Sequence, residues 1–144
     1  MKVSSVDQTV ELASRLASQL SKGDVICLYG DLGVGKSVMA RAIIRTLCDD
    51  MQMDVPSPSF TLIQSYDMVI GSIAHIDAYR LSSADELYEL GIPESFETDI
   101  TIIEWAERFT ELTPSRRIDI KIVDDGGDDR TINIEFIGEW AWQI

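Results

Sequence analysis

The sequence predicts one α/β domain over residues 1–144: a mainly parallel central sheet with added antiparallel strands and helices on both faces. Three observations carry this. A glycine-rich loop at residues 30–37 joins a mostly apolar strand to a helical segment. A second β-branched run, Asp99-Ile100-Thr101-Ile102-Ile103-Glu104-Trp105, reads as a buried strand that delivers an acid at its end. Two alternating stretches, near 61–79 and 117–137, read as hairpins that extend the sheet.

In chain order, Ser5-Val6-Asp7-Gln8 has the Ser-x-x-Gln pattern of a capping box. Val6, Val10, Ala13, Ala17 and Leu20 then recur at helical spacing, with Leu12 and Leu16 widening the apolar stripe. Gly23 is the expected left-handed stop. The first strand is Asp24-Val25-Ile26-Cys27-Leu28-Tyr29. After it, Gly30-Asp31-Leu32-Gly33-Val34-Gly35-Lys36-Ser37 fits G-x-x-x-x-G-K-S/T, the phosphate-binding loop, at every required position. Gly30, Gly33 and Gly35 permit backbone angles closed to residues with a Cβ, so the chain can wrap a phosphate with its N–H groups inward. Lys36 adds a point charge, Ser37 a hydroxyl suited to Mg²⁺, and the following helix (Ser37 to Cys48, with Val38, Ala42 and Ile43 on one side) its dipole. These residues read as a nucleotide site.

Asp49 to Pro58 reads as a loop. Ser57-Pro58-Ser59-Phe60-Thr61 carries three hydroxyls around a proline, either an ordinary turn or a loop that senses a γ-phosphate. A strand at Thr61 to Tyr66 and a turn at Asp67 to Ser72 lead into Ile73-Ala74-His75-Ile76-Asp77-Ala78-Tyr79. There Ile73, His75, Asp77 and Tyr79 share one face, and Ala74, Ile76 and Ala78 the other. His75 fits a structural hydrogen-bonding role. Asp77 is the better candidate for chemistry, orienting water or supporting Mg²⁺ from the outer shell.

Ser83-Ala84-Asp85-Glu86 is a second capping-box pattern, opening a short helix packed down by Leu87 and Leu90 and ended by Gly91. Glu104, at the end of the second buried strand, stands where such folds bring a carboxylate to Mg²⁺. Glu107 to Thr113 reads as a short helix or turn stopped by Pro114. Ile118, Ile120 and Ile122, an acidic turn at 124–129, and Ile132, Ile134 and Phe136 form the last hairpin. The aromatic end, Glu139-Trp140-Ala141-Trp142-Gln143-Ile144, either packs on the core or offers a partner surface.

Composition narrows the classes. The formal net charge of -13 and pI near 4.3 oppose direct grip on a nucleic-acid backbone, although acidity also serves solubility alone. Cys27 and Cys48 have no C-x-x-C spacing, which fits a reduced cytosolic setting without metal or redox work by the thiols. Met1 to Ser21 lacks the apolar run of a signal peptide, and no run reaches membrane-spanning length, so a cytoplasmic location without membrane contact is expected. The rival reading is a small nucleotide or metabolite kinase, but arginines are scattered and no insertion is long enough for a lid. No Asn-Lys-x-Asp segment supports a GTPase.

Gly30 to Ser37, Ser57-Pro58-Ser59-Phe60-Thr61-Leu62, His75-Ile76-Asp77-Ala78-Tyr79-Arg80-Leu81, Glu89-Leu90-Gly91 and Ile103-Glu104-Trp105 resemble, in order and spacing, the TsaE family. These are small bacterial ATPases of the phosphate-loop (P-loop) NTPase fold, needed to make threonylcarbamoyladenosine in transfer RNA. The His-x-Asp-x-Tyr-Arg-Leu and Glu-Trp elements give the resemblance its specificity. It implies that Asp31, Leu32, Gly33, Val34, Gly35, Lys36, Ser37 and Val38 cradle ATP, and that Ser37 and Glu104 bind Mg²⁺. It further implies that Lys36, Asp77, Glu104 and Trp105 are needed for activity, and that Thr9 and Arg130 approach the nucleotide. Ser37 and Ser59 stand where the family usually has Thr, and Ala106 where it commonly has Pro. The implied partners are the TsaD and TsaB pair, which transfers the threonylcarbamoyl group, with transfer RNA met only through that complex.

Overall fold

The computed structural model describes residues 1–58, 62–68 and 71–144, with only the backbone described for Arg80, Ala84, Thr110, Glu111 and Leu112. Ser59, Phe60 and Thr61, in the hydroxyl-bearing loop, and residues 69–70 of the expected turn after Asp67 lie outside the described residues. Among them, no helix is long and apolar enough to cross a membrane.

Seven strands form one sheet: β1 (Lys2–Val3), β2 (Val25–Tyr29), β3 (Ile63–Met68), β4 (Gly71–Asp77), β5 (Ile100–Glu104), β6 (Arg117–Gly126) and β7 (Asp129–Ile137). Their order is β1-β7-β6-β2-β5-β4-β3. The centre is parallel, β6 and β5 each pairing with β2 and β4 with β5, whereas β3, β7 and β1 join antiparallel. This is the expected arrangement. The edge strand β1 is too short to leave a periodic signal, and β3 pairs Asp67 with Ser72 and Met68 with Gly71, so strand pairing runs into the predicted turn Asp67 to Ser72.

Strand alternation sorts the core. In β2, Ile26 and Leu28 face a cluster built with α1 (Val6–Ala17) and α2 (Lys36–Leu47), while Val25 and Cys27 face the opposite side. That second cluster takes Leu87 from α3 (Ala84–Glu89), Ile92 from α4 (Ile92–Thr98), and Ala106 at the start of a 3₁₀ segment. Helices therefore cover both faces.

Helix α1 starts as its sequence foretells, the Ser5 hydroxyl accepting from the Gln8 amide at 3.2 Å. The return bond goes one residue further back, Ser4 N–H donating to Gln8 Oε1 at 2.7 Å. Its buried stripe is Thr9, Leu12, Ala13, Leu16 and Ala17, rotated from the predicted one, and Val6 is 62% exposed. The amphipathic period is right. Its phase shifts because α2 packs against the Leu12–Leu16 edge, where Ser14 and Thr46 hydroxyls meet at 3.0 Å. At α3, Glu86 receives the Ser82 amide at 3.0 Å, and Leu90 is 43% exposed instead of packed down. Gly91 takes φ +73, and Ile92-Pro93 immediately opens α4, a helix that the Gly-x-Pro context hid.

The C-terminal residues pack on the core. Trp140 and Trp142 meet Phe136 edge-to-face at 5.5 and 5.1 Å between ring centroids, and Arg116 lies 3.6 Å over the Trp140 ring. The same guanidinium reaches the buried Asp24 carboxylate at 2.8 Å, so the tail and the start of β2 share one cation.

Cys27 sits fully buried on β2, and desolvation, reinforced by nearby Asp119, pushes its thiol from the ordinary 9.0 up to about 12. A raised acid pKa means the folded chain keeps a proton that the unfolded chain loses. Its contribution is therefore intact below pH 9.0 and is lost as pH rises towards about 12. Urea denaturation from pH 7 upward should show a fall in stability beginning above pH 9.0, shallower in Cys27→Ala; an identical slope would mean the thiol is not responsible.

Candidate functional site

The loop Gly30–Ser37 connects the C-terminal end of β2 to the first turn of α2, as a phosphate cradle requires. Gly30, Gly33 and Gly35 all have positive φ, at +147, +79 and +124. Gly30 is the constrained one: a Cβ there would stand 2.7 Å from the Ile122 carbonyl oxygen of β6. Gly33 and Gly35 face open space, so their backbone is free to approach a ligand.

Lys36 is 5% exposed. Its Nζ donates to the Gly30 carbonyl and, at 3.2 Å, to that of Asp31, and lies 3.7 Å over the Trp105 ring. Desolvation holds it below the ordinary lysine value, while Glu107, Glu104, Asp31 and Asp77 favour its charge. The loop is thus closed around its own cation, with an aromatic lid.

Two neighbouring parallel strands bring up the carboxylates. Asp77 ends β4 and Glu104 ends β5, and the two are partners in register; Glu104 is likewise the partner of Leu28 on β2. Both carboxylates are buried, at 7% and 5% exposure. Asp77 Oδ1 accepts the Tyr79 amide at 2.9 Å, which starts the 3₁₀ turn Ala78–Arg80. Tyr79 therefore leaves the strand face on which alternation placed it, and stacks at 4.9 Å on Trp105. Glu104 Oε2 meets His75 Nε2 at 2.7 Å, fulfilling the hydrogen-bonding role expected of that histidine. Trp105 takes φ +61, an uncommon conformation for a bulky side chain, and this turns its ring back over the loop.

These groups line a cleft of about 550 Å³ with Leu32, Gly33, Gly35, Ser37, Val38 and Ser57. A second lobe of about 180 Å³ shares Gly33, Gly35 and Val38 and is walled by Thr9, Val34 and Arg130. Thr9 and Arg130 are 121 positions apart in sequence, yet both reach the cleft. Arg130 Nε donates to the Val34 carbonyl at 3.0 Å, tying the last hairpin to the loop. Asp31 is exposed and lines neither lobe; its carbonyl accepts from Lys36 and from the Val34 amide, and its charge favours the Lys36 ammonium. Ser5, Val6, Ile122 and Asp128 also line the second lobe and were not foreseen. Val6, which helical spacing places in the apolar stripe of α1, is 62% exposed and lines this lobe instead.

The donor set suits a hard cation: a serine hydroxyl and a carboxylate at the mouth of a phosphate loop. Among the described residues, no three His, Cys, Asp or Glu side chains cluster as a self-sufficient metal cage. A cation here would complete its shell with ligand oxygens and water.

The family model "Threonylcarbamoyl adenosine biosynthesis protein TsaE" matches residues 3–132. A tRNA threonylcarbamoyladenosine biosynthesis protein TsaE of Rickettsia bellii is 38% identical over 134 residues, covering 92% of this chain and 91% of that protein. One of Mycobacterium bovis is 32% identical over 146 residues, covering 95% and 83%. The crystal structure of Bacillus subtilus YdiB matches with a TM-score of 0.76 at 27% identity, over 96% of this chain and 84% of that one.

Gly30→Ala forces its Cβ against the Ile122 carbonyl and should destabilise the fold by about 1–3 kcal/mol. Gly33→Ala, which meets nothing within 4 Å, should cost less. Chemical denaturation of both variants checks this; equal losses would mean that the close approach of β6 is not what selects glycine at position 30.

Proposed function

The chain belongs to the TsaE family, and on that premise we propose that it binds ATP with Mg²⁺ and hydrolyses it slowly as an accessory factor in threonylcarbamoyladenosine modification of tRNA. It acts on the TsaD–TsaB complex in the cytoplasm. The observation that carries the reading is the convergence at one sheet edge of a glycine cradle, a buried lysine and two buried carboxylates.

In this reading the loop amides and Lys36 bind the phosphates. Lys36 exchanges the Gly30 and Asp31 carbonyls, which it now satisfies, for phosphate oxygens. Ser37 and Glu104 hold Mg²⁺, which when bound neutralises charge developing on the β- and γ-phosphate oxygens. Asp77, buried beside Glu104 and fixed by the Tyr79 amide, orients the attacking water. Trp105 and Tyr79 cover the phosphate lobe and limit bulk water. Thr9, Val38 and Arg130 contact the nucleoside side from the second lobe.

Two features support slow turnover by the chain alone. No described arginine side chain lines the phosphate lobe, so among the described residues none brings the transferring phosphoryl group the arginine charge that accelerates related reactions most. Arg130, in the other lobe, is committed to the Val34, Gly127 and Asp129 carbonyls and to Asp124. The net charge of -13 supports contact with RNA through a protein complex and not directly.

ATP turnover by the pure protein should be slow, should fall by about 100-fold in Lys36→Ala, and should change when TsaD and TsaB are added. Turnover indifferent to those partners but raised by a small phosphate acceptor would replace this reading with a kinase.

A further inference from the structure

The His75–Glu104 contact has a chemistry of its own. Both side chains are buried, at 2% and 5% exposure, and Nε2 and Oε2 are 2.7 Å apart. His75 Nδ1 has no hydrogen-bond partner among the described residues. That asymmetry assigns the tautomer. A proton on Nδ1 would bury an N–H with nothing to receive it, whereas a proton on Nε2 is donated to the carboxylate and leaves only a bare lone pair on Nδ1. His75 is thus a donor to Glu104 in a site shielded from water, where one hydrogen bond fixes a carboxylate firmly.

We infer that His75 is a positioning residue that occupies one oxygen of Glu104, leaves the other for the cation, and so makes the site prefer Mg²⁺ over Ca²⁺. The inference rests on the metal role proposed above for Glu104. Mg²⁺ demands near-ideal octahedral geometry and takes one oxygen from each of a few carboxylates; Ca²⁺ has more ligands, tolerates irregular shells and accepts both oxygens of one carboxylate. A carboxylate locked at Oε2 presents a single-oxygen ligand in a fixed direction. Released from His75, Glu104 could rotate and offer both. The backbone limits that freedom only partly, because Glu104 is the last residue of β5 and is followed by the left-handed Trp105.

The bond also dictates which substitutions preserve the function. Glutamine carries an amide N–H as many bonds from Cβ as His Nε2, so His75→Gln can still donate to Glu104. His75→Asn is polar and similar in character, but its amide reaches only as far as Nδ1 and cannot.

The test is calorimetric binding of a non-hydrolysable ATP analogue in Mg²⁺, in Ca²⁺ and in EDTA, for the intact chain, His75→Gln, His75→Asn and Glu104→Gln, with melting curves for each. The ratio of affinities in Mg²⁺ and Ca²⁺ should shrink by about tenfold in His75→Asn and be largely restored in His75→Gln, while binding in EDTA, which depends on the loop and Lys36, stays level. A merely structural histidine would move the melting temperature and leave that ratio in place, and an unchanged ratio in a folded His75→Asn overturns the inference. Should His75→Asn fail to fold, His75→Ala takes its place: a ratio like that of the intact chain overturns the inference, and one that shrinks in His75→Ala but is restored in His75→Gln supports it. Glu104→Gln separates the two layers. If its binding keeps the full dependence on metal, Glu104 is not a ligand and the inference falls with that reading. If its metal dependence vanishes while His75→Asn keeps the normal ratio, only the positioning role falls.

Discussion

The parallel pairing of β2, β5 and β4 is the constraint on which the rest depends. Parallel strands all end at the same edge, so the chain leaves β2 into the phosphate loop at the place where β5 delivers Glu104 and β4 delivers Asp77. Register makes this convergence sharp. A slip of one residue would turn Glu104 and His75 to the opposite face, away from α2 and into the apolar cluster around Leu87 and Ile92. The energy that holds the register is hydrophobic: Ile26, Leu28, Ile73 and Ile102 must face α1 and α2 together, and the polar site at the edge follows their choice.

The site is also built around cations and acids that satisfy one another. Lys36 is desolvated and engaged with loop carbonyls and the Trp105 ring, in the field of four carboxylates. In the proposed function those loop carbonyls give way to phosphate oxygens as the acceptors of the Lys36 ammonium. The hairpin β6–β7 contributes from the other side, with Ile122 closing on Gly30 and Arg130 bracing the Val34 carbonyl. The acidic tip, read as a solvated turn, is in part a counter-charge that orients this arginine through Asp124.

How much could be read without coordinates depended on whether the determining interaction was local. The loop was legible because its demands are backbone demands at adjacent residues. The alternation of Ile73, His75 and Asp77 was legible for the same reason, since pleat geometry fixes it. Helix α4 was not, because Gly91 and Pro93 signal interruption as readily as a cap followed by a new first turn. The phase of α1 was not either: Val6 and Leu12 are equally apolar, and only the placement of α2 and of the cleft decides which of them is buried.

The sequence by itself determined the fold class, the glycine loop between strand and helix and the acids at the strand ends, and it pointed to the family to which the chain belongs. Each of these is written in short-range chemistry: glycine angles, apolar period, a carboxylate at the end of a β-branched run. Tertiary structure alone decided that His75 would hold Glu104, that Trp105 would cover Lys36, and that Arg130 would brace the Val34 carbonyl. Those pairs join residues far apart in the chain, and their distances are set by packing of the two faces of the sheet, which no local pattern encodes.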